Sequence, residues 1–132
     1  MKVFVIGHDN RPGEIAKASS ILGGKGINIT SSASLGLGER GATGFITSDE
    51  PGSRAALDEA GLGYVEYDIV RVRLPDQPGT LADASRRLAD AGINIEFLAP
   101  TAIGSGGEAT LAFGVADGPA ARRALGDQAI GD

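Results

Sequence analysis

The 132-residue chain has no cysteine, no tryptophan and a single histidine. Without thiols it can form no disulfide, no thiolate metal site and no thiol nucleophile. One histidine, His8, excludes an ordinary multi-histidine metal centre. Aromatics are scarce, four Phe and two Tyr, so leucine, isoleucine and valine must supply the core. Positive charge is in the minority: 12 Lys and Arg stand against 17 Asp and Glu, a net charge of −5. That balance argues against nucleic acid or an anionic membrane as the main partner. No apolar run approaches the roughly 20 residues that span a bilayer. The N-terminus opens on a strand-like run rather than a signal peptide. A cytoplasmic protein is expected.

What is present is a repeat. Residues 10–29, moved forward by 66 positions, fall on 76–95, and ten of the twenty pairs are identical. They are Pro12/Pro78, Gly13/Gly79, Ala16/Ala82, Ala18/Ala84, Ser19/Ser85, Leu22/Leu88, Gly26/Gly92, Ile27/Ile93, Asn28/Asn94 and Ile29/Ile95. Two copies, 1–66 and 67–132, account for the 132 residues, and no separate catalytic domain is expected among them. A period seen only twice is not a solenoid. Units this small sit near the lower limit for a self-sufficient core, so at least a homodimer is expected.

Each half reads strand, helix, strand, strand, helix, strand. In the first, Lys2–Ile6 is a β-branched strand and Pro12-Gly13 breaks it. Ile15, Ala18, Ser19 and Leu22 share one helix face, and Gly23-Gly24 ends that helix. Ile27–Leu35 and Ala42–Thr47 are strands joined by a hairpin loop at Gly36–Gly41. Pro51-Gly52 opens a helix carrying Ala56, Leu57 and Ala60, and Tyr64–Tyr67 closes the unit. In the second half, Val70, Val72 and Leu74 alternate with Arg71 and Arg73 along Ile69–Leu74. Leu81, Ala84, Ser85 and Leu88 mark a helix. Ile93–Leu98 and Ala109–Val115 are strands around a loop with Gly104, Gly106 and Gly107. Pro119–Leu125 is a helix, and Gln128–Ile130 a short last strand. There is no linker between the halves. The fold class is α+β: two tandem ferredoxin-like βαββαβ units with antiparallel sheets and helices on one face.

Asp76-Gln77-Pro78-Gly79-Thr80-Leu81, followed by Gly92-Ile93-Asn94-Ile95, resembles the signature of an ACT domain. Asn10-Arg11-Pro12-Gly13-Glu14-Ile15 with Gly26-Ile27-Asn28-Ile29 resembles a second. The resemblance implies a small ligand, typically an amino acid, bound at an interface between paired domains, and a regulatory role beside a partner enzyme or regulator. Its ligand-binding positions fall on Asn10, Arg11, Gly13, Glu14, Ile15, Asn28 and Ile29 in the first copy. In the second they fall on Asp76, Gln77, Gly79, Thr80, Leu81, Asn94 and Ile95. The first copy departs from the pattern in having Asn10 where the second has the more typical Asp76.

The residues support such a site independently. A helix start presents free N–H groups and a positive dipole end to a carboxylate. Gly13 and Gly79 admit a ligand close to the main chain. Asp76 can accept from an ammonium, and Asn10 offers a neutral acceptor and donor. Asn10 and Asp76 are also expected to cap the helices, and Asn28 and Asn94 to begin the following strands or tie down a turn. His8 is read as a loop-edge residue or a ligand contact. Arg71 and Arg73 belong to a solvated sheet face or to an interface. Gly36-Leu37-Gly38-Glu39-Arg40-Gly41 matches GxGxxG, but a strand rather than a helix follows, so it reads as a mobile hairpin and not a nucleotide fingerprint. Substitutions there are expected to do little to ligand binding. No cofactor, metal or catalytic constellation is expected. The rival readings are a structural or protein-interaction module without ligand and, third, a small enzyme on the same sheet.

Overall fold

A computed structural model describes residues 1–103 and 107–131. Gly104 and Gly106 of the expected second loop lie outside the described residues. The chain divides between Glu66 and Tyr67 into two compact units.

The first unit holds β1 (Lys2–Asp9), α1 (Glu14–Gly23), β2 (Ile29–Leu37), β3 (Arg40–Thr47) and α2 (Glu50–Glu59). It closes on the first two residues of β4 (Val65–Pro75), which continues into the second unit. β3 lies between β2 and β1, antiparallel to both. The second unit adds α3 (Thr80–Asp90), β5 (Phe97–Ile103), β6 (Glu108–Val115), α4 (Gly118–Leu125), a 3-10 turn (Gly126–Gln128) and β7 (Ala129–Ile130). There β6 lies between β5 and β4, and β7 pairs with the far edge of β4. Both units are therefore βαββαβ, the ferredoxin-like order.

Alternation along the strands explains the cores. Phe4 and Ile6 of β1 and Phe45 of β3 face Ala18 and Leu22 of α1 and Ala56 and Leu57 of α2. Val70, Val72 and Leu74 of β4 and Phe113 and Val115 of β6 face Ala84 and Leu88 of α3 and Ala121 and Leu125 of α4. Arg71 is half-buried and Arg73 exposed between those valines. The Phe4 ring meets Tyr64 edge-on at 5.8 Å, and the Arg54 guanidinium lies 5.9 Å from its centroid. Arg54 also grips Glu66 through both carboxylate oxygens, at 2.8 and 2.7 Å. Three acidic residues of the first unit, Asp49, Asp58 and Glu59, hold local structure in place. Asp49 caps α2 by accepting from the Gly52 N–H, Asp58 takes the Tyr64 hydroxyl, and Glu59 pairs with Lys25. No helix among the described residues is long and apolar enough to cross a membrane.

Several boundaries differ from expectation. β1 runs on through His8 to Asp9, because β3 pairs with it that far, so His8 is a strand residue. The expected loop Gly36–Gly41 shrinks to the turn Gly38-Glu39: Gly36 pairs with Gly41 and Leu37 with Arg40 inside the ladder. Ile93–Glu96 is irregular, and β5 begins only at Phe97. Ile93 and Ile95 pack against the core without strand pairing, which mimics a strand's burial pattern. Ile15 and Leu81, expected on the inner helix faces, are 47% and 41% exposed, since they lie in the first turn, ahead of the core layer.

Candidate functional site

The repeated motif lies where a central strand gives way to the first helix of its unit. The two turns are built alike. The N–H of Arg11 donates to Asp9 O at 3.1 Å, and that of Gln77 to Pro75 O at 2.9 Å, closing a three-residue turn in each. Gly13 and Gly79 follow at φ 93° and 90° and are themselves the helix N-caps. The expectation that Asn10 and Asp76 cap these helices is therefore wrong: each stands three residues ahead of the cap. It also changes the reading of the glycines. The backbone there is left-handed, which L-residues avoid, and a Cβ would meet nothing within 4 Å at either position.

The first bonds of the helical ladder run from the Lys17 N–H to Gly13 O at 2.9 Å and from the Asp83 N–H to Gly79 O at 3.0 Å. The amides of Ile15 and Ala16, and of Leu81 and Ala82, precede them and have no acceptor inside the helix. Thr80 pins the second turn through its hydroxyl, which contacts Pro75 O at 2.7 Å and Gln77 O at 3.1 Å. The Gly-Ile-Asn-Ile half of the motif stops the helix. The Ile27 N–H returns to Leu22 O at 3.1 Å and the Ile93 N–H to Leu88 O at 2.9 Å, as in a Schellman ending.

Asn10 and Asp76 occupy equivalent places but differ in their partners. Both hook their main-chain N–H onto the adjacent hairpin, Asn10 to Glu39 O at 2.9 Å and Asp76 to Gly107 O at 2.6 Å. Asn10 adds a side-chain bond from Nδ2 to Gly38 O, whereas the exposed Asp76 carboxylate has no partner among the described residues. Asn28 and Asn94 do not begin strands: each lies in the loop before one. The Asn28 main chain exchanges bonds with Ser48, and Asn94 Nδ2 donates to Glu96 Oε1 at 2.8 Å. Ile29 and Ile95 are half-buried against the cores of their units.

Beside the first turn lies a cleft of about 240 Å³, lined by Ile6, Gly7, His8, Asp9, Arg11, Glu14, Lys17, Ala18, Arg40 and Leu62. An ion-pair chain runs along it. Arg40 Nη1 donates to Asp9 Oδ1 at 2.7 Å, Arg11 reaches Asp9 at 3.8 Å, and Arg11 Nε donates to Glu14 Oε1 at 2.6 Å. The hydrogen bond and charge of Glu14, with the charge of Asp9, hold the Arg11 guanidinium above its ordinary value. His8 Nδ1 contacts Asp9 O at 2.8 Å, and a carbonyl only accepts, so this nitrogen carries the proton. In the neutral ring Nε2 then accepts from the Thr43 hydroxyl at 2.8 Å, which itself lies 2.7 Å from Ser34 Oγ. The Thr43–His8 pair has nucleophile-and-base proximity. Thr43 is only 2% exposed, so the pair is a cross-strand link that no substrate reaches.

Asp9, Lys17 and Arg40 are the charged cleft residues that motif matching missed. Lys17 was findable, one helical turn after Glu14. Arg40 was not, because only the β1–β3 register sets it opposite Asp9.

Residues 69–125 match the family model of the ACT domain. The second unit is an ACT domain. Its motif, Asp76–Leu81 with Gly92–Ile95, lies inside the match. Among solved structures, a protein from Bacteroides thetaiotaomicron is 21% identical, with a TM-score of 0.72 over 96% of this chain and 86% of that one. The ligand-free regulatory subunit of aspartate kinase from Thermus thermophilus is 22% identical, with a TM-score of 0.64 over 96% of this chain and 90% of that one. The same subunit from Thermus flavus is 22% identical, with a TM-score of 0.66 over the same shares. At these identities the likeness is one of fold, and it covers both units. No match was found among curated proteins.

Proposed function

We propose that the chain is a tandem ACT-type regulatory module that binds an amino acid or a similar small ligand at its motif turns. The observation that carries this reading is the duplicated strand–turn–helix. A family-matched ACT domain and the unit before it both stop the central strand, cap the helix with a left-handed glycine and leave two amides without helical acceptors. Such amides at a positive dipole end suit a carboxylate. Ligand binding shifts the population of domain arrangements by no more than its differential affinity for them. A partner enzyme or regulator reads the result, and the chain itself performs no chemistry. The regulatory aspartate kinase subunits that share its fold lend support by analogy of fold alone.

The chain acts as a homodimer in this reading. β2 lies at the edge of the sheet, carries no charged residue from Ile29 to Leu37, and exposes Leu35 and Leu37 by 75% and 83%. A long uncharged edge of this kind is ordinarily blocked in monomers, and a second copy of the same strand is its simplest cover.

A thermal-shift screen against the twenty amino acids tests the ligand reading, because a ligand of the native state raises the melting temperature by mass action. A rise with at least one supports it. No rise with any of them favours an interaction module without ligand.

A further inference from the structure

Resting on that regulatory reading, we propose that the first unit's cleft is built for a small anion, an acidic amino acid in preference to a neutral one. The residues that charge it do not recur at the equivalent positions of the second unit.

The charge count comes first. Arg11, Lys17 and Arg40 face the cleft against Asp9 and Glu14, one positive charge in excess on a chain of net charge −5. The two carboxylates are already answered, Asp9 by Arg40 and Glu14 by Arg11. Lys17 has no partner among the described residues, and each guanidinium has more N–H groups than these bonds use. The cleft's surplus is thus one of cationic donors, which an oxyanion satisfies with charge-assisted bonds. Asp9 and Glu14 keep lone pairs for an ammonium. A ligand with two carboxylates and one ammonium fits this set in charge and in hydrogen bonding. At about 240 Å³ the cleft falls below the roughly 300–1,000 Å³ of drug-sized pockets, which suits a molecule no larger than an amino acid.

The duplication supplies an internal control. Sixty-six positions on, His8 becomes Leu74, Asp9 becomes Pro75, Arg11 becomes Gln77, Glu14 becomes Thr80 and Lys17 becomes Asp83. The three-residue turn, the left-handed glycine and the buried alanine of the helix persist in the second unit. The fold therefore does not require these charges. They belong to the first copy alone.

Titration calorimetry of the full chain with L-aspartate, L-glutamate, L-asparagine, L-glutamine and succinate decides the matter. The acidic amino acids are expected to bind at least tenfold tighter than their amides, and more weakly as salt is raised. Lys17→Gln and Arg40→Gln should each weaken that binding about tenfold. Arg123→Gln, an exposed position in α4 with the same charge change, should not. Both cleft side chains are exposed, and unchanged urea midpoints will show that the variants fold. Amides that bind as tightly, or cleft variants that bind like the unmutated chain, overturn the anion site and leave the regulatory reading standing. Succinate binding without any amino acid keeps the anion site and removes the amino-acid reading. Silence from all five probes, with a different amino acid active in the wider screen, overturns the anion site alone. Silence in both experiments overturns the two together.

Discussion

Asn10 donates its side-chain Nδ2 hydrogen to the carbonyl oxygen of Gly38, 2.9 Å away, and so stitches the first motif turn to the β2–β3 hairpin. Two glycines leave room in the hairpin, one beneath the stitch and one beneath His8. A Cβ at Gly36 would lie 2.6 Å from Asn10 Nδ2, and one at Gly41 would lie 2.9 Å from the His8 ring and 3.1 Å from Leu35 O. The hairpin is therefore part of the turn's support.

Gly36→Ala should push Asn10 off Gly38 and cost about 1 kcal/mol, the worth of one hydrogen bond. Gly41→Ala should cost more, about 1–3 kcal/mol, because a packed ring and a main-chain oxygen cannot swing aside. Urea unfolding of the two variants ranks them. Equal and negligible losses would show that the hairpin does not support the turn.

A second pair of measurements concerns the caps. At Gly13 and Gly79, with φ near 90°, alanine should cost about 1–2 kcal/mol from left-handed backbone alone, since nothing crowds the added methyl. A valine at Gly79 must then perturb the fold as well as any ligand, so it cannot isolate binding. Gly23→Ala is the contrast. It ends α1 at an ordinary φ with open space around it, and should stabilise by about 0.4–1 kcal/mol. Thermal melts that move all three the same way would refute the backbone account.

The order of elements was legible because Gly and Pro punctuate the chain and because burial follows helical and strand periods. Pro12-Gly13, Pro51-Gly52 and Pro119 each stand at a helix start, as local chemistry requires. The misses were tertiary. Ile93 and Ile95 alternate like a strand but join no strand ladder among the described residues, while the true β5 carries Pro100, tolerated because β5 is an edge strand with a register shift there. Helix capping was misplaced because side-chain propensity pointed to Asn10 and Asp76, whereas a left-handed glycine had taken the position. Of the candidate site, the two turns were readable from the repeat. The charged cleft was not, since the β1–β3 register brings Arg40 to Asp9 from 31 positions along the chain.

Acid stability should report the Arg54–Glu66 pair. The hydrogen bond from Arg54, aided by its charge, lowers the Glu66 carboxyl below its ordinary 4.5. A depressed folded-state value means that the pair stabilises fully above the unfolded value and loses that contribution as pH falls through the folded one. Stability should thus decline below about pH 4.5 more steeply in the unmutated chain than in Glu66→Gln. Parallel acid limbs in the two proteins would contradict this.

Self-association should depend on the exposed edge. Leu37→Glu places a charge on the β2 edge without touching either core, because Leu37 is 83% exposed. Sedimentation equilibrium should find the unmutated chain dimeric at micromolar concentration and the variant monomeric. A dimer that survives the substitution would place the contact on another surface.

The last test separates the two turns. Among the described residues the exposed Asp76 carboxylate holds nothing in place, so Asp76→Ala should leave the urea midpoint within about 0.5 kcal/mol of the unmutated chain. Asn10→Ala loses the Gly38 bond and should cost about 1 kcal/mol. Any drop in amino-acid affinity in Asp76→Ala must then come from a lost ligand contact at the second turn rather than from loosened structure. A drop in Asn10→Ala has both sources. Pairing each titration with an unfolding curve resolves them. If the second turn binds an ammonium, Asp76→Ala loses affinity at constant stability, and Asp76→Asn, which keeps an acceptor but not the charge, loses less. If affinity is unchanged in both Asp76 variants while Lys17→Gln and Arg40→Gln weaken it, ligand binding is confined to the first unit.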